Sequence, residues 1–280
     1  MHSMISDYPV SKMAVFLGVT KQGYYKWLAR RDRPCKDTIL LTQIKAEHEK
    51  NDRIYGSPRI YKALRSANVR CAKRRVERLM KIHKIRAISA RKYTVQTTDS
   101  KHHFPISENL LQQNFKVNLP NKVWVSDITH IRAKTGWLYL CVIIDLFSRR
   151  IVGWKVESSL QARLVTETLR AAVLTRRPEG GLIFHSDRGS QYASAEVREI
   201  LISNGMISSM SRSGNCYDNS CAESIFATIK KERLKHITLE DIFDARKELF
   251  KYIEQFYNRK RLHSTLGYIS PAEFEARNVA

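Results

Sequence analysis

Acid is scarce in this chain. Its 280 residues carry 27 Asp and Glu against 49 Lys and Arg, a formal net charge of +22 with a pI near 10.0. That imbalance favours a polyanionic partner. Cysteine is also sparse: Cys35, Cys71, Cys141, Cys216 and Cys221, an odd number with no Cys-x-x-Cys pair. This excludes a zinc ribbon and a disulfide framework, and fits a reduced cytosolic protein with incidental thiols. No apolar run approaches the roughly 20 residues needed to span a membrane. The first residues, Met1 to Asp7, lack the apolar core of a signal peptide. The expectation is a cytoplasmic protein, nucleoid-associated through its charge, with no membrane partner.

The charge is uneven. Residues 1–104 hold 24 Lys and Arg against 8 Asp and Glu (+16), and residues 105–280 hold 25 against 19 (+6). A basic nucleic-acid-binding front half ahead of a more balanced catalytic half follows from this asymmetry. Pro9 to Arg30 reads as a helix-turn-helix. Val10, Met13, Ala14 and Leu17 recur at helical spacing, Gly18-Val19 turns, and Thr20 caps a second helix from Lys21 to Leu28. Lys21, Gln22 and Tyr24 lie near the end of that helix that enters the major groove in this motif. Further helices are expected over Ile39–Asn51, over Pro58–Ser66 with Ser57 as N-cap, and over Ala72–His83. The last carries Arg74, Arg75 and Arg78 as phosphate-contact candidates, within a second helix-turn-helix. A solvated basic face is the plainer reading of any one of these arginines. The expected division is a helical DNA-binding region over 1–93, a polar linker over 94–118 that includes His102 and His103, and a core over 119–280.

From Lys122 the pattern changes to strands. Val123–Ile131, Trp137–Asp145 and Ile151–Glu157 are β-rich and separated by short turns, so they form an antiparallel meander. Helix Gln161–Thr175, strand Leu182–Ser186, helix Ala193–Asn204, strand Met206–Ser209 and a helix from Glu223 to about Lys235 follow, then a final helix Leu239–Tyr257. The order βββαβαβα predicts an α/β fold, a mixed sheet flanked by helices, behind an all-α front.

Three acids stand on separate elements. Asp127 is on the first strand. Asp187 follows the fourth strand, 60 residues later. Glu223 lies in the first turn of a helix, 36 residues further on. In this topology the first and fourth strands are neighbours, so the three carboxylates can converge. Converging carboxylates repel each other, and hard divalent cations with open sites for phosphate remove that repulsion. Lys230, seven residues after Glu223, falls on the same helix face and can hold a DNA phosphate beside the acids.

These residues resemble the DDE transposases encoded by the second reading frame of bacterial insertion elements, whose core is related to retroviral integrases and ribonuclease H. The resemblance spans about residues 8–275. It rests on Trp124-x-x-Asp127-Ile128-Thr129, Asp145 to Trp154, His185-Ser186-Asp187-Arg188-Gly189-Ser190-Gln191-Tyr192, Gly214-Asn215-x-Tyr217-Asp218-Asn219, Glu223 with Lys230, and Tyr257-Asn258…Arg261-x-His263…Leu266-Gly267…Ser270-Pro271. It implies a ribonuclease H-like core, with Asp127, Asp187 and Glu223 as catalytic and metal-binding acids. It also implies two Mg²⁺ ions (or Mn²⁺) and DNA contacts from Lys230. Arg261, in the last of these motifs, is a further DNA-contact candidate. The implied reaction is two-metal cleavage and 3′-hydroxyl strand transfer on double-stranded DNA, at element ends and target, with Asp127 bridging the ions. The implied partners are further copies of the chain in a synaptic complex and the product of an upstream reading frame that supplies a leucine zipper. No heptad run occurs here.

Other polar residues have plainer readings. Asp145 is expected to be structural, Asp218 to serve a helix start or turn, and His185 and His263 to be core or DNA-contacting residues. Two rival functions remain at this level: a DNA-binding regulator without catalysis, which the three acids argue against, and a ribonuclease H-like nuclease without strand transfer, which leaves the basic front unexplained.

Overall fold

The computed structural model describes residues 4–31, 36–88, 105–212 and 216–278. The chain forms two compact units, Met1–Ala87 and Ile88–Ala280. Cys35, His102, His103 and the Gly214-Asn215 pair lie outside the described residues.

In the first unit, α1 (Val10–Phe16) and α2 (Lys21–Arg31) are separated by a turn with Gly18 at positive φ. Thr20 Oγ1 accepts the Gly23 N–H at 3.0 Å, which satisfies one orphan donor of α2 as its cap residue should. Met13 and Ala14 of α1 and Tyr24 of α2 are buried. Then come α3 (Lys36–Lys50), α4 (Ser57–Ser66) and α5 (Lys73–Ile82). They bury Leu40, Ile44, Ile60, Leu64, Val76, Leu79 and Met80 at helical spacing. The cap of α4 corrects the sequence expectation. Gly56 is the N-cap residue, and Ser57 already belongs to the helix and makes no capping bond. Pro58 still falls in the first turn, where its missing N–H costs nothing.

The second unit is built on β1 (Val123–Ala133), β2 (Gly136–Asp145), β3 (Ile151–Glu157), β4 (Ile183–Ser186) and β5 (Ile207–Met210), in the sheet order β3-β2-β1-β4-β5. The first three strands pair antiparallel; β4 pairs parallel with β1 and with β5. The parallel pairings need crossovers, and α6 (Ala162–Arg176) and α7 (Ala195–Ser203) supply them. Both helices pack on one face of the sheet, where Trp124, Cys141, Ile143 and Phe184 meet Leu164, Leu169, Val197 and Leu201. Gly153 permits the close approach of α6 to β3. A Cβ there would lie 2.9 Å from Ala172 Cβ and 3.0 Å from Thr168 O.

Strand alternation sends Val125, Asp127 and Thr129 to the opposite face. There α8 (Ser220–Glu232) packs on β1 and α9 (Ile242–Phe250) on β3. The expected helix Leu239–Tyr257 is divided: α9 passes into π-helical geometry over Lys251–Tyr257. The expected helix to Lys235 ends at Glu232, before a short 3₁₀ turn over Leu234–His236.

Two further expectations are corrected. Residues 105–118 do not behave as the end of a linker. Ser107 Oγ donates to Ser208 Oγ (2.9 Å), the Leu110 N–H to Ser209 Oγ (3.0 Å), and Arg149 to the Phe115 carbonyl (3.1 Å), so this segment is stitched to the core. A last helix, α10 (Pro271–Asn278), was not foreseen. Its buried Glu275 accepts from Ser148 Oγ at 2.7 Å, Arg150 at 2.7 Å and Arg176 at 2.9 Å. Arg176 also reaches buried Asp145 at 3.4 Å, whose carboxylate accepts the N–H groups of Asn121 and Phe147.

Candidate active site

The parallel pairing of β1 and β4 sets the site. Val123 is opposite Ile183, Trp124 opposite Phe184 and Val125 opposite His185, a constant offset of 60 residues. Asp127 and Asp187 are also 60 apart, so each stands two residues beyond the last paired residues of adjacent parallel strands. One backbone N–H orients each carboxylate: Ile128 N–H donates to Asp127 Oδ1 at 2.8 Å and Gly189 N–H to Asp187 Oδ1 at 2.9 Å. The second bond explains a glycine. A Cβ at position 189 would come within 3.1 Å of Asp187 Oδ1 and 3.0 Å of Gln191 Oε1.

The third acid comes from the helix. Lys230 Nζ donates to Thr129 Oγ1 at 2.6 Å, which pins α8 to β1 two residues past Asp127. Glu223, two turns back on α8, is exposed. Electrostatics tie the group together. Burial first, and then the charges of Asp187 and Glu223, hold the Asp127 carboxyl well above the usual carboxylate range, against the opposing pull of the Ile128 N–H and Lys230. Partial desolvation by the surrounding protein raises the carboxyl of the solvent-exposed Glu223, and desolvation followed by the charge of Lys235 lowers Lys230. Among the described residues, no three acidic, His or Cys side chains stand close enough together, as placed, to hold an ion. The donor set nevertheless fits a hard divalent cation: it is carboxylate oxygen only, and Asp127 is held from ionising by burial and by the two acids beside it.

Beneath the acids, Ser126 Oγ and Tyr192 Oη share a buried hydrogen bond of 2.9 Å. Beside Asp187 opens a cleft of about 310 Å³ that Thr129, His130, Trp137, Tyr139 and Gln191 help to line. Thr129, Gly189 and Gln191 stand in the sequence motifs without an assigned role, and His130, Trp137 and Tyr139 were not singled out. The signal was there: Thr129 and Gly189 each sit two residues past an acid.

The neighbouring histidine and acid are structural. His185 is buried, with Nδ1 2.9 Å from Ser209 Oγ and Nε2 3.2 Å from Ser211 Oγ. Asp218 is buried and accepts from Arg212, Asn109 and Gln113, and its carboxyl is held well below the usual range chiefly by Arg212. It ties segment 105–118 to the approach of α8 and does not cap that helix. His263 lies 3.2 Å from both Tyr257 Oη and Thr265 Oγ1.

The DNA-contact candidates divide. Lys21 and Gln22 are exposed on α2, and Arg74 is exposed on α5. Arg75 and Arg78 both donate to Asp37 at 2.6 Å and lower its carboxyl below the usual range. Two expectations are corrected. Tyr24 is buried, 6 % exposed, so it packs α2 on its own unit and is not presented as a groove reader. Arg261 is 4 % exposed and grips Glu232 with two bonds of 2.7 Å; it fastens α8 to the segment after the π-helix and is not presented to DNA.

Three family models match the chain: an HTH-like domain over residues 34–93, and two integrase core domains over 117–216 and 204–271. The HTH-like match falls on α3 to α5, not on the α1–α2 pair that the glycine turn singled out. The chain is 42% identical over 240 residues to the transposase for insertion sequence element IS904 of Lactococcus lactis subsp. lactis (strain IL1403), covering 86% of this chain and 94% of that protein. It is 35% identical over 286 residues to transposase InsF for insertion sequence IS3A of Escherichia coli (strain K12), covering 98% and 96%. Among solved structures it is similar to the HTLV-2 integrase catalytic core domain in complex with magnesium, with 20% identity, TM-score 0.44, and 56% of this chain and 97% of that chain covered. The chain thus belongs to the bacterial insertion-element transposases, DDE-type polynucleotidyl transferases that carry an integrase core and an HTH-like domain.

Proposed function

We propose that Asp127, Asp187 and Glu223 are the catalytic acids of this transposase, and that they hold two divalent metal ions, Mg²⁺ in the cell. The carrying observation is the register of β1 and β4, in which Asp127 within β1 and Asp187 just past β4 each stand two residues beyond the last parallel pair, with α8 pinned to β1 beside Asp127. The carboxyl of Asp127, raised by burial first and then by Asp187 and Glu223, supports the same reading, since a bound cation favours its ionised form against both. Bound there, a pair of ions supplies Lewis-acid stabilisation of the attacking and leaving oxygens of a phosphodiester. The chain's own residues orient the ligands. The Ile128 and Gly189 N–H groups fix the two aspartates, and Thr129 holds the Lys230 ammonium at the edge of the acids, where it can move to a DNA phosphate.

The reaction is cleavage at the element end by water, then attack of the freed DNA 3′-hydroxyl on target DNA. No protein nucleophile takes part. Lys21, Gln22, Arg74, Arg75, Arg78 and Lys230 contact DNA, mostly through phosphate. For Arg75 and Arg78 this requires exchanging Asp37 for a phosphate, and both side chains lie at the surface. Two or more copies assemble on paired ends, and the upstream-frame product joins them in the cell. The test is in vitro joining of the element's own ends in Mg²⁺, with and without the upstream product. Joined product that requires divalent cation supports the reading; end binding without cleavage in either condition overturns it.

A further inference from the structure

The cleft beside Asp187 has a chemistry that metal binding does not use. Its floor is the face of β1 and β2 opposite Asp127. Cross-strand pairing puts Ile128 beside Cys141, His130 beside Tyr139 and Arg132 beside Trp137 on that face. Towards the hairpin tip the column leaves the core and meets solvent. Trp137 is 47 % exposed, an indole that the sheet presents to solvent. The His130 ring stands nearly perpendicular to it, centroids 5.0 Å apart at 82°, and the exposed Arg132 guanidinium lies over the indole, 5.1 Å from its centroid. Leu160 and Gln191 line the other side, and Asp187 marks the end nearest the reacting phosphate.

We propose that this cleft is a nucleobase subsite, in which an unpaired base next to the scissile phosphate stacks on Trp137 while Arg132 takes the adjoining phosphate. This rests on the reading of Asp187 as a catalytic acid. An indole with a cation beside it is the chemistry that captures an unstacked base and its phosphate without reading sequence. The volume, about 310 Å³, accommodates one base and excludes a duplex. Trp137 keeps nearly half of its surface open, and a base can take the place over the ring that Arg132 leaves when it turns to the phosphate. The function follows from geometry: a duplex end must open for its terminal phosphodiester to reach acids seated on and just past the strands of the sheet, and a base held here keeps it open. Trp137 is then a positioning residue, acting on DNA and not on the metal.

The test compares two duplexes of the element's own terminal sequence, identical except that the unpaired nucleotide at the end carries a base in one and is abasic in the other. Full-length wild type, Trp137→Phe and Trp137→Ala are titrated with each, without divalent cation. Dividing the two affinities removes the large sequence-independent term from the basic front half. Wild type is expected to prefer the base-bearing end by about ten-fold. Trp137→Phe should keep most of that ratio, and Trp137→Ala should bring it to one while a melting curve stays cooperative. A wild-type ratio of one, or a Trp137→Ala ratio equal to wild type, overturns the subsite. No bond is broken in this assay, so its outcome is separate from that of the joining reaction, whose failure would count against the acids alone.

Discussion

At the residue scale the chain uses charge in two ways that its sequence does not distinguish. Arg261 sits in Asn258-Arg259-Lys260-Arg261, a run that reads as a phosphate-binding surface. Its true partner, Glu232, is 29 residues away, and only the fold reveals it. Arg261→Ala leaves a buried carboxylate uncompensated and should cost about 3–5 kcal/mol of stability. Melting curves with and without DNA check this: a lowered Tm in both is expected, and an unchanged Tm with weaker DNA binding would restore Arg261 to the interface. Asp218 makes a pH-dependent contribution. Its folded carboxyl lies well below the unfolded value because Arg212 bonds the ionised form. Its stabilisation is therefore fully present above about pH 4, the unfolded pKa, and is lost as pH falls through the folded value. The Tm gap between wild type and Asp218→Asn should be wide at pH 7 and narrow in acid; a gap independent of pH would contradict the assignment. That Asp127 and Asp187 stand on neighbouring strands was legible, because their 60-residue spacing is one that the topology can interpret. Tyr24 was not, because a periodic aromatic on a short basic helix serves a core and a groove equally well.

At the element scale, strand alternation and turn residues fixed β1 to β5 closely, and the parallel neighbours followed from the crossover helices. What escaped was local exchange of partners. α10 begins at Pro271, after Ser270, with one buried acid and little apolar periodicity, so nothing short of the Arg150–Glu275–Arg176 cluster identifies it as a clamp on the sheet. Segment 105–118 is polar and reads as a linker because its bonds run to Ser208, Ser209 and Asp218, about 100 residues away. Gly153 shows the reverse, a sequence feature whose reason is packing. Gly153→Ala must push α6 from β3 and should cost about 1–3 kcal/mol. Urea unfolding checks it: a lower midpoint with an unchanged slope is expected, and wild-type stability would mean the helix can yield at no cost.

For the whole molecule, the division of charge organises function. Residues 1–104 carry +16 of the +22. Removing them should flatten the dependence of log K on log[salt], because fewer counterions are released on binding. A slope equal to that of the intact chain would move the main DNA-binding surface to the core. The core then supplies chemistry, and Glu223→Gln tests that most directly. Gln keeps the size of Glu and a neutral hydrogen-bonding oxygen, and Glu223 is exposed on α8, so helix and packing should survive. It removes the charge that a hard cation requires. The measurement is strand joining of the element's own ends in Mg²⁺ by purified Glu223→Gln, beside a melting curve and a DNA titration. Normal folding and DNA binding with joining reduced at least about a hundredfold is the expected result. Joining at near the wild-type rate would remove Glu223 from the site and contradict the three-acid account.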